Sequence, residues 1–220
     1  QERPVKVYNW SDYIDEEVLK EFTAETGIKV VYDVFDSNEV LETKLLAGGT
    51  GYDVVVPSAT FLARQIQAGV FQELDKSKLP NLDKMWSVVT DRTETYDPGQ
   101  KYSINYMWGT TGIGYNAKAT NERLGEGKVP TWATIFNPEE LAKFKDCGVH
   151  MLDAPTEMIP AALNFLGKDP DSKNKDDIAA AGALLEKVTP NIQKFNSSEY
   201  INGLANGDIC LAVGWSGDVF

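Results

Sequence analysis

Four polar turns stand out in this sequence: Trp10-Ser11-Asp12-Tyr13, Pro57-Ser58-Ala59-Thr60, Asp153-Ala154-Pro155-Thr156-Glu157 and Trp215-Ser216-Gly217-Asp218. Each follows an apolar run suited to a strand, and open α/β sheets bind their ligands at the carboxyl ends of strands. Indole and phenol faces attract an ammonium group by roughly 0.5–2 kcal/mol each, and carboxylates add charge-assisted hydrogen bonds. Two separated carboxylates select a dication over a monocation, because a buried carboxylate left without a partner is costly. Flat aromatic walls cover the methylenes between the charges, so the ligand that fits is a linear diamine. Each turn also has a plainer reading. Ser11, Asp12 or Ser58 could cap the next helix, Glu157 could close a capping box on Ala154, and Trp10 could simply fill the core.

Covalent chemistry finds few candidates. The single histidine, His150, lies in an alternating apolar run with no cysteine or second histidine at ligand spacing, which points to a structural role and no metal site. Gly109, Gly112 and Gly114 sit in a β-like stretch with no lysine after them, so they form no phosphate loop. Trp215-Ser216-Gly217 lacks the first glycine of a nucleophile elbow and has no histidine placed as its base.

The elements that must hold these turns alternate along the chain. Of the 220 residues, 42% are hydrophobic and 25% charged, the composition of a globular protein able to build one large or two small cores. The formal charge of -12 and the lack of a Lys/Arg cluster argue against nucleic acid as a partner and favour small cations, or simply solubility. No apolar run approaches the length of a membrane span, so no membrane insertion is expected. Gln1, Glu2 and Arg3 resemble neither an initiator methionine nor a signal peptide, as expected of a mature chain whose leader has been removed. Apolar periodicity predicts strands over residues 5–10, 28–34 and 53–56, with helices over 15–26, from Ser37 to Gly48, and over 59–68. Residues 74–100 read as loops with one short helix, and residues 102–115 as a strand crossing from one lobe into another. A second run of helices (138–145, 156–166, 175–188, 198–205) and strands (149–152, 192–195, 209–213) follows, so the fold class is α/β, with a parallel sheet in the first lobe and a second α/β lobe after it. Cys147 and Cys210 are either free core thiols or one disulfide; a disulfide would close 63 residues of chain and contribute roughly 4 kcal/mol.

Over essentially its whole length the sequence resembles the periplasmic polyamine-binding proteins of bacterial ABC importers, and most closely the putrescine-binding ones. The resemblance is carried by Tyr8-Asn9-Trp10-Ser11-Asp12-Tyr13-Ile14, by residues 26–39 and by Tyr52-Asp53-Val54-Val55-Val56-Pro57-Ser58. Further on it includes Gly112-Ile113-Gly114-Tyr115-Asn116, Leu152-Asp153-Ala154-Pro155, Asn206-Gly207-Asp208-Ile209-Cys210 and Gly214-Trp215-Ser216-Gly217-Asp218. It implies a two-lobed, type II-like periplasmic binding protein with crossing hinge strands, residues 1–108 forming the first lobe and 109–220 the second, and the ligand clamped between them. On this resemblance Trp10, Ser11, Asp12, Tyr13 and Ser58 would line the first lobe's side of the cleft, and Glu157, Trp215 and Asp218 the second's. Asp12, Glu157 and Asp218 would take ammonium groups while Trp10 and Trp215 cover the methylenes. Ser11-Asp12 is similar to the putrescine-preferring members rather than the Thr-Glu pair of spermidine-preferring ones, and Thr60 and Ala154 sit where members tune ligand length.

The same resemblance pairs Cys147 with Cys210 and implies a periplasmic location, a polyamine ligand, a membrane ABC permease as partner, and neither enzymatic activity nor a cofactor. Relatives of this kind continue beyond Phe220, so a C-terminal return segment completing the first lobe is expected to be absent from this chain. Capture of another small cation is the alternative. A glycosidase using Asp12 and Glu157 is a more distant one. Anion and iron-complex binders would need arginine, paired tyrosines or histidine at these strand ends, where the sequence has none.

Overall fold

In a computed structural model the described residues, 3–220, form two compact units that meet in sequence between Trp108 and Gly109. Gln1 and Glu2, part of the amino-terminal reading above, lie outside the described residues.

The first unit opens with three strand-then-helix repeats: β1 (Val5–Trp10), α1 (Glu16–Thr26), β2 (Val30–Phe35), α2 (Asn38–Ala47), β3 (Val54–Val55) and α3 (Ala59–Gln67). The strands are parallel in the order β2-β1-β3. Strand alternation puts Tyr8 and Phe35 on one face, where they are buried with Leu41 of α2. Tyr8 stacks on Tyr52 with centroids 4.5 Å apart, and the Lys44 ammonium lies 4.3 Å from the Tyr8 ring centre. Lys44 also donates to the Tyr52 hydroxyl at 3.2 Å, and that hydroxyl donates to Asp33 at 2.8 Å. The bond to Tyr52 holds the Lys44 ammonium above its ordinary pKa. This unit therefore already seats one of its own ammonium groups against stacked phenols with a carboxylate behind them.

Helix α1 is capped by Asp15, whose side chain accepts from the Glu17 amide, and ends at Gly27 in the left-handed region (φ 74). Its apolar face, with Val18 and Phe22, is exposed among the described residues. Beyond α3 come two 3-10 turns and a short helix, α4 (Ser87–Thr93). Asp97 then organises the chain. Buried to 1% exposure, its carboxylate accepts from the amides of Lys101, Tyr102 and Ser103 and from the Ser103 hydroxyl at 2.8–3.1 Å. Amides spent on a carboxylate cannot enter a sheet ladder. The strand expected over residues 102–115 is confined to β4 (Thr111–Tyr115), and no crossing strand occurs among residues 102–110.

The second unit continues with α5 (Ala117–Leu124), α6 (Trp132–Phe136), α7 (Pro138–Ala142), β5 (Val149–Met151), α8 (Pro155–Phe165), α9 (Lys175–Val188), β6 (Lys194–Phe195), α10 (Glu199–Asn206), β7 (Leu211–Trp215) and α11 (Ser216–Val219). The sheet order is β4-β7-β5-β6; β4 runs antiparallel to β7 and the other pairs are parallel, so this sheet is mixed rather than parallel throughout. Three helices, α5, α6 and α11, were not expected. Asn116 caps α5 by accepting from the Ala119 amide, and the Thr131 amide donates to the Thr134 hydroxyl at the start of α6. Met151, Leu211, Ala212 and Val213 of the sheet are fully buried with Phe136, Leu163 and Val188 from the helices and Phe144 from the turn after α7. Cys147 and Cys210, immediately ahead of β5 and β7, form a disulfide with Cα atoms 5.6 Å apart. His150 is buried in β5.

Candidate functional site

In the first unit the candidate residues gather at the carboxyl ends of β1 and β3. The Trp10 indole leans on Phe35 at 4.8 Å and its N–H donates to the Val56 carbonyl at 2.8 Å, tying the ends of β1 and β3 together. Ser11 is tied to β2: both its amide (2.9 Å) and its hydroxyl (3.2 Å) donate to the Phe35 carbonyl. Asp12 takes the left-handed conformation (φ 66), which turns the chain sharply. Its side chain is exposed, and among the described residues its carboxylate accepts no hydrogen bond. The helix cap that Ser11 or Asp12 might have supplied comes instead from Asp15. Tyr13 is held through its carbonyl, which accepts from the Tyr106 hydroxyl. Ser58 precedes α3 but makes no side-chain cap; its amide donates to Asn38 Oδ1 at 2.9 Å and its oxygen accepts from Asn38 Nδ2 at 3.0 Å, which leaves its own proton to donate. Tyr32, on the neighbouring strand, has its hydroxyl pKa raised by burial, opposed by Asn9 and reinforced by the nearby Tyr106 phenol and Asp12 carboxylate.

In the second unit the corresponding ends of β5 and β7 carry the rest. Glu157 lies in the first turn of α8 and accepts a hydrogen bond from the Thr111 hydroxyl of β4, not from the amide that a capping box would require. Thr111 pairs directly with Trp215 across the antiparallel ladder, so Glu157 and Trp215 flank the same sheet position. The Ser216 hydroxyl accepts from the Thr110 amide at 3.1 Å, and the Ser216 amide donates to the Thr110 carbonyl at 2.9 Å. Asp218 accepts from the Tyr200 hydroxyl, which itself accepts the Trp215 amide at 3.1 Å. The eight residues singled out thus fall into two groups, each at the strand ends of its own unit.

Asn38, Tyr106, Thr111 and Tyr200 are the supporting residues that sequence reasoning missed. Asn38 carried a weak signal, directly after Ser37, whose side chain caps α2 by accepting from the Val40 amide at 3.3 Å. The others meet their partners only through long-range packing. No group of three or more metal-ligating side chains occurs among the described residues, and no helix there is long and apolar enough to cross a membrane. An open cavity of about 590 Å³ in the second unit is lined by Arg123, Lys128, Glu140 and Lys143. It holds none of the eight residues, and its Arg123 guanidinium is spent on Asp146 and the Lys143 and Ala119 carbonyls.

Residues 17–220 match the family of bacterial extracellular solute-binding proteins. The chain belongs to that family. Among the relatives of this solute-binding protein, the putrescine-binding periplasmic protein SpuD of Pseudomonas aeruginosa is 55% identical over 97% of this chain and 59% of its own length. The putrescine-binding periplasmic protein PotF of Escherichia coli is 55% identical over 100% of this chain and 60% of its own. The Tp0655 (TpPotD) lipoprotein of Treponema pallidum superposes with a TM-score of 0.83 at 32% identity, covering 98% of this chain and 65% of that one. The solute-binding protein chain therefore spans about 60% of the length of the curated relatives it matches. Its expected α/β periplasmic-binding-protein fold is the fold of these relatives.

Proposed function

We propose that this protein captures putrescine or a related polyamine in the periplasm and delivers it to a membrane ABC permease, doing no chemistry on the ligand. The observation that carries this reading is the 55% identity to two proteins named as putrescine-binding and periplasmic. The composition of the two strand-end groups supports it: three carboxylates, two indoles and a phenol, with no arginine or histidine among them. In this reading Asp12, Glu157 and Asp218 accept ammonium protons, Trp10 and Trp215 cover the methylenes, and Ser11, Tyr13 and Ser58 complete the first unit's contribution. Thr60 and Ala154 adjust the length of diamine accepted. Use of Asp12 and Glu157 as a glycosidase pair draws no support, since the named relatives are binding proteins.

Native mass spectrometry of the protein with putrescine, spermidine, glutamate and maltose tests the reading. A polyamine adduct that survives competition from the other solutes is expected. Retention of glutamate or maltose in preference to either polyamine would overturn it.

A further inference from the structure

Two of the proposed ligand residues share one anchor. Tyr200, in the first turn of α10, is fully buried, and its ring lies directly on the backbone of β7. A Cβ on Gly214 would fall 2.4 Å from the ring's Cε2 and 2.7 Å from Cζ, so only glycine at 214 lets the ring close on the strand. The hydroxyl emerges beside the end of β7, where it donates to Asp218 Oδ2 and accepts the Trp215 amide. A phenol offers one proton and acceptor lone pairs, so this single oxygen holds a carboxylate and the backbone that carries an indole. Phenylalanine would fill the same space in the core. The hydroxyl is therefore needed by Asp218 and Trp215 rather than by the packing around the ring.

We propose that Tyr200 is the positioning residue of the second unit's binding group, fixing the Asp218 carboxylate beside the backbone that carries the Trp215 indole and so setting the preference for a diammonium over a monoammonium ligand. This rests on the polyamine reading above. Positioning acts through Asp218, so its loss is coupled to Asp218, whereas a general loosening of the core is not.

The test is a double-mutant cycle on the full chain, with Tyr200→Phe, Asp218→Asn and the pair titrated calorimetrically with putrescine and with 1-aminobutane. Tyr200→Phe is expected to weaken putrescine by about tenfold and 1-aminobutane by less than about twofold, and to cost less than about twofold further in the Asp218→Asn background. Unchanged putrescine affinity, or an equal loss in both backgrounds, would overturn the proposal. A ligand-free readout separates it from the polyamine reading: the Tyr200 hydroxyl proton should give a slowly exchanging downfield resonance that vanishes in Tyr200→Phe and moves upfield in Asp218→Asn. If Tyr200→Phe does not fold, the shift in Asp218→Asn still decides the contact. A resonance that behaves this way in a protein that binds no putrescine overturns the ligand assignment and the selectivity with it. Putrescine binding with a resonance indifferent to Asp218→Asn overturns the positioning role alone.

Discussion

Removing the Cys147–Cys210 disulfide should cost stability without costing binding. The bond closes 63 residues of chain, and loop-closure entropy for a ring of that size is worth about 4 kcal/mol in the unfolded state. With a urea m-value of about 2 kcal/mol/M, the unfolding midpoint of Cys147→Ser/Cys210→Ser should fall by roughly 2 M. The bond lies at the amino ends of β5 and β7, where the Cys210 amide also donates to the Gly148 carbonyl at 3.1 Å. Trp215 is five residues further along β7, roughly 16 Å away at about 3.3 Å per residue. Strand pairing around the cysteines and the Tyr200 contacts at the far end thus persist when the bond is absent. Urea titrations followed by far-ultraviolet circular dichroism give the midpoint, and calorimetry at a temperature where both forms are folded gives the putrescine affinity. An unchanged midpoint would refute the stability argument, and a tenfold loss of affinity in folded protein would refute the separation of the disulfide from the binding groups.

Three further outcomes follow from the same structure. Burial holds the His150 pKa below its ordinary 6.5, with Glu199 and Lys194 the charges acting on it in opposite directions and its Nδ1 without a partner among the described residues. The unfolded chain then binds the proton more readily than the folded one, so stability is lost as pH falls below 6.5 toward the depressed folded value. His150→Gln should flatten the unfolding free energy over roughly pH 5–7, and a slope equal to wild type in that range contradicts this. Tyr106→Phe removes the donor to the Tyr13 carbonyl and should weaken putrescine by roughly three- to tenfold, about 1 kcal/mol; unchanged affinity by calorimetry would separate Tyr106 from the site. Trp215→Ala should weaken putrescine by at least about tenfold, about 1.4 kcal/mol, and wild-type affinity would remove that indole from the ligand's surroundings.

The strand-helix alternation of the first unit is legible because its signals are local: the Ser37 cap, the Gly27 stop and the period-two runs of β1 and β2 each lie within a few residues of what they control, although the cap of α1 is Asp15 rather than Ser11 or Asp12. Residues 102–110 read as a strand from their β-forming composition; at Tyr102 and Ser103 the amides go to the Asp97 carboxylate instead. The antiparallel β4 was equally hidden, since strand direction follows from the path of the intervening chain. Apolar periodicity marked the exposed face of α1 but could not show what lies beside it. Among the candidate site residues, polar turns after apolar runs marked the four stretches and the resemblance to polyamine-binding proteins singled out the eight residues within them, while their supports stayed invisible. Thr111 reaches Glu157 across 46 residues and Tyr200 reaches Asp218 across 18, separations at which no spacing rule operates.

Isothermal titration of putrescine into the full chain, repeated with Asp218→Asn and with Glu157→Gln, bears most directly on diamine capture by paired carboxylates. One putrescine per chain is expected, with affinity falling at least about tenfold, 1.4 kcal/mol, in each variant. Absence of putrescine binding by the wild type, or wild-type affinity in both variants, would contradict it.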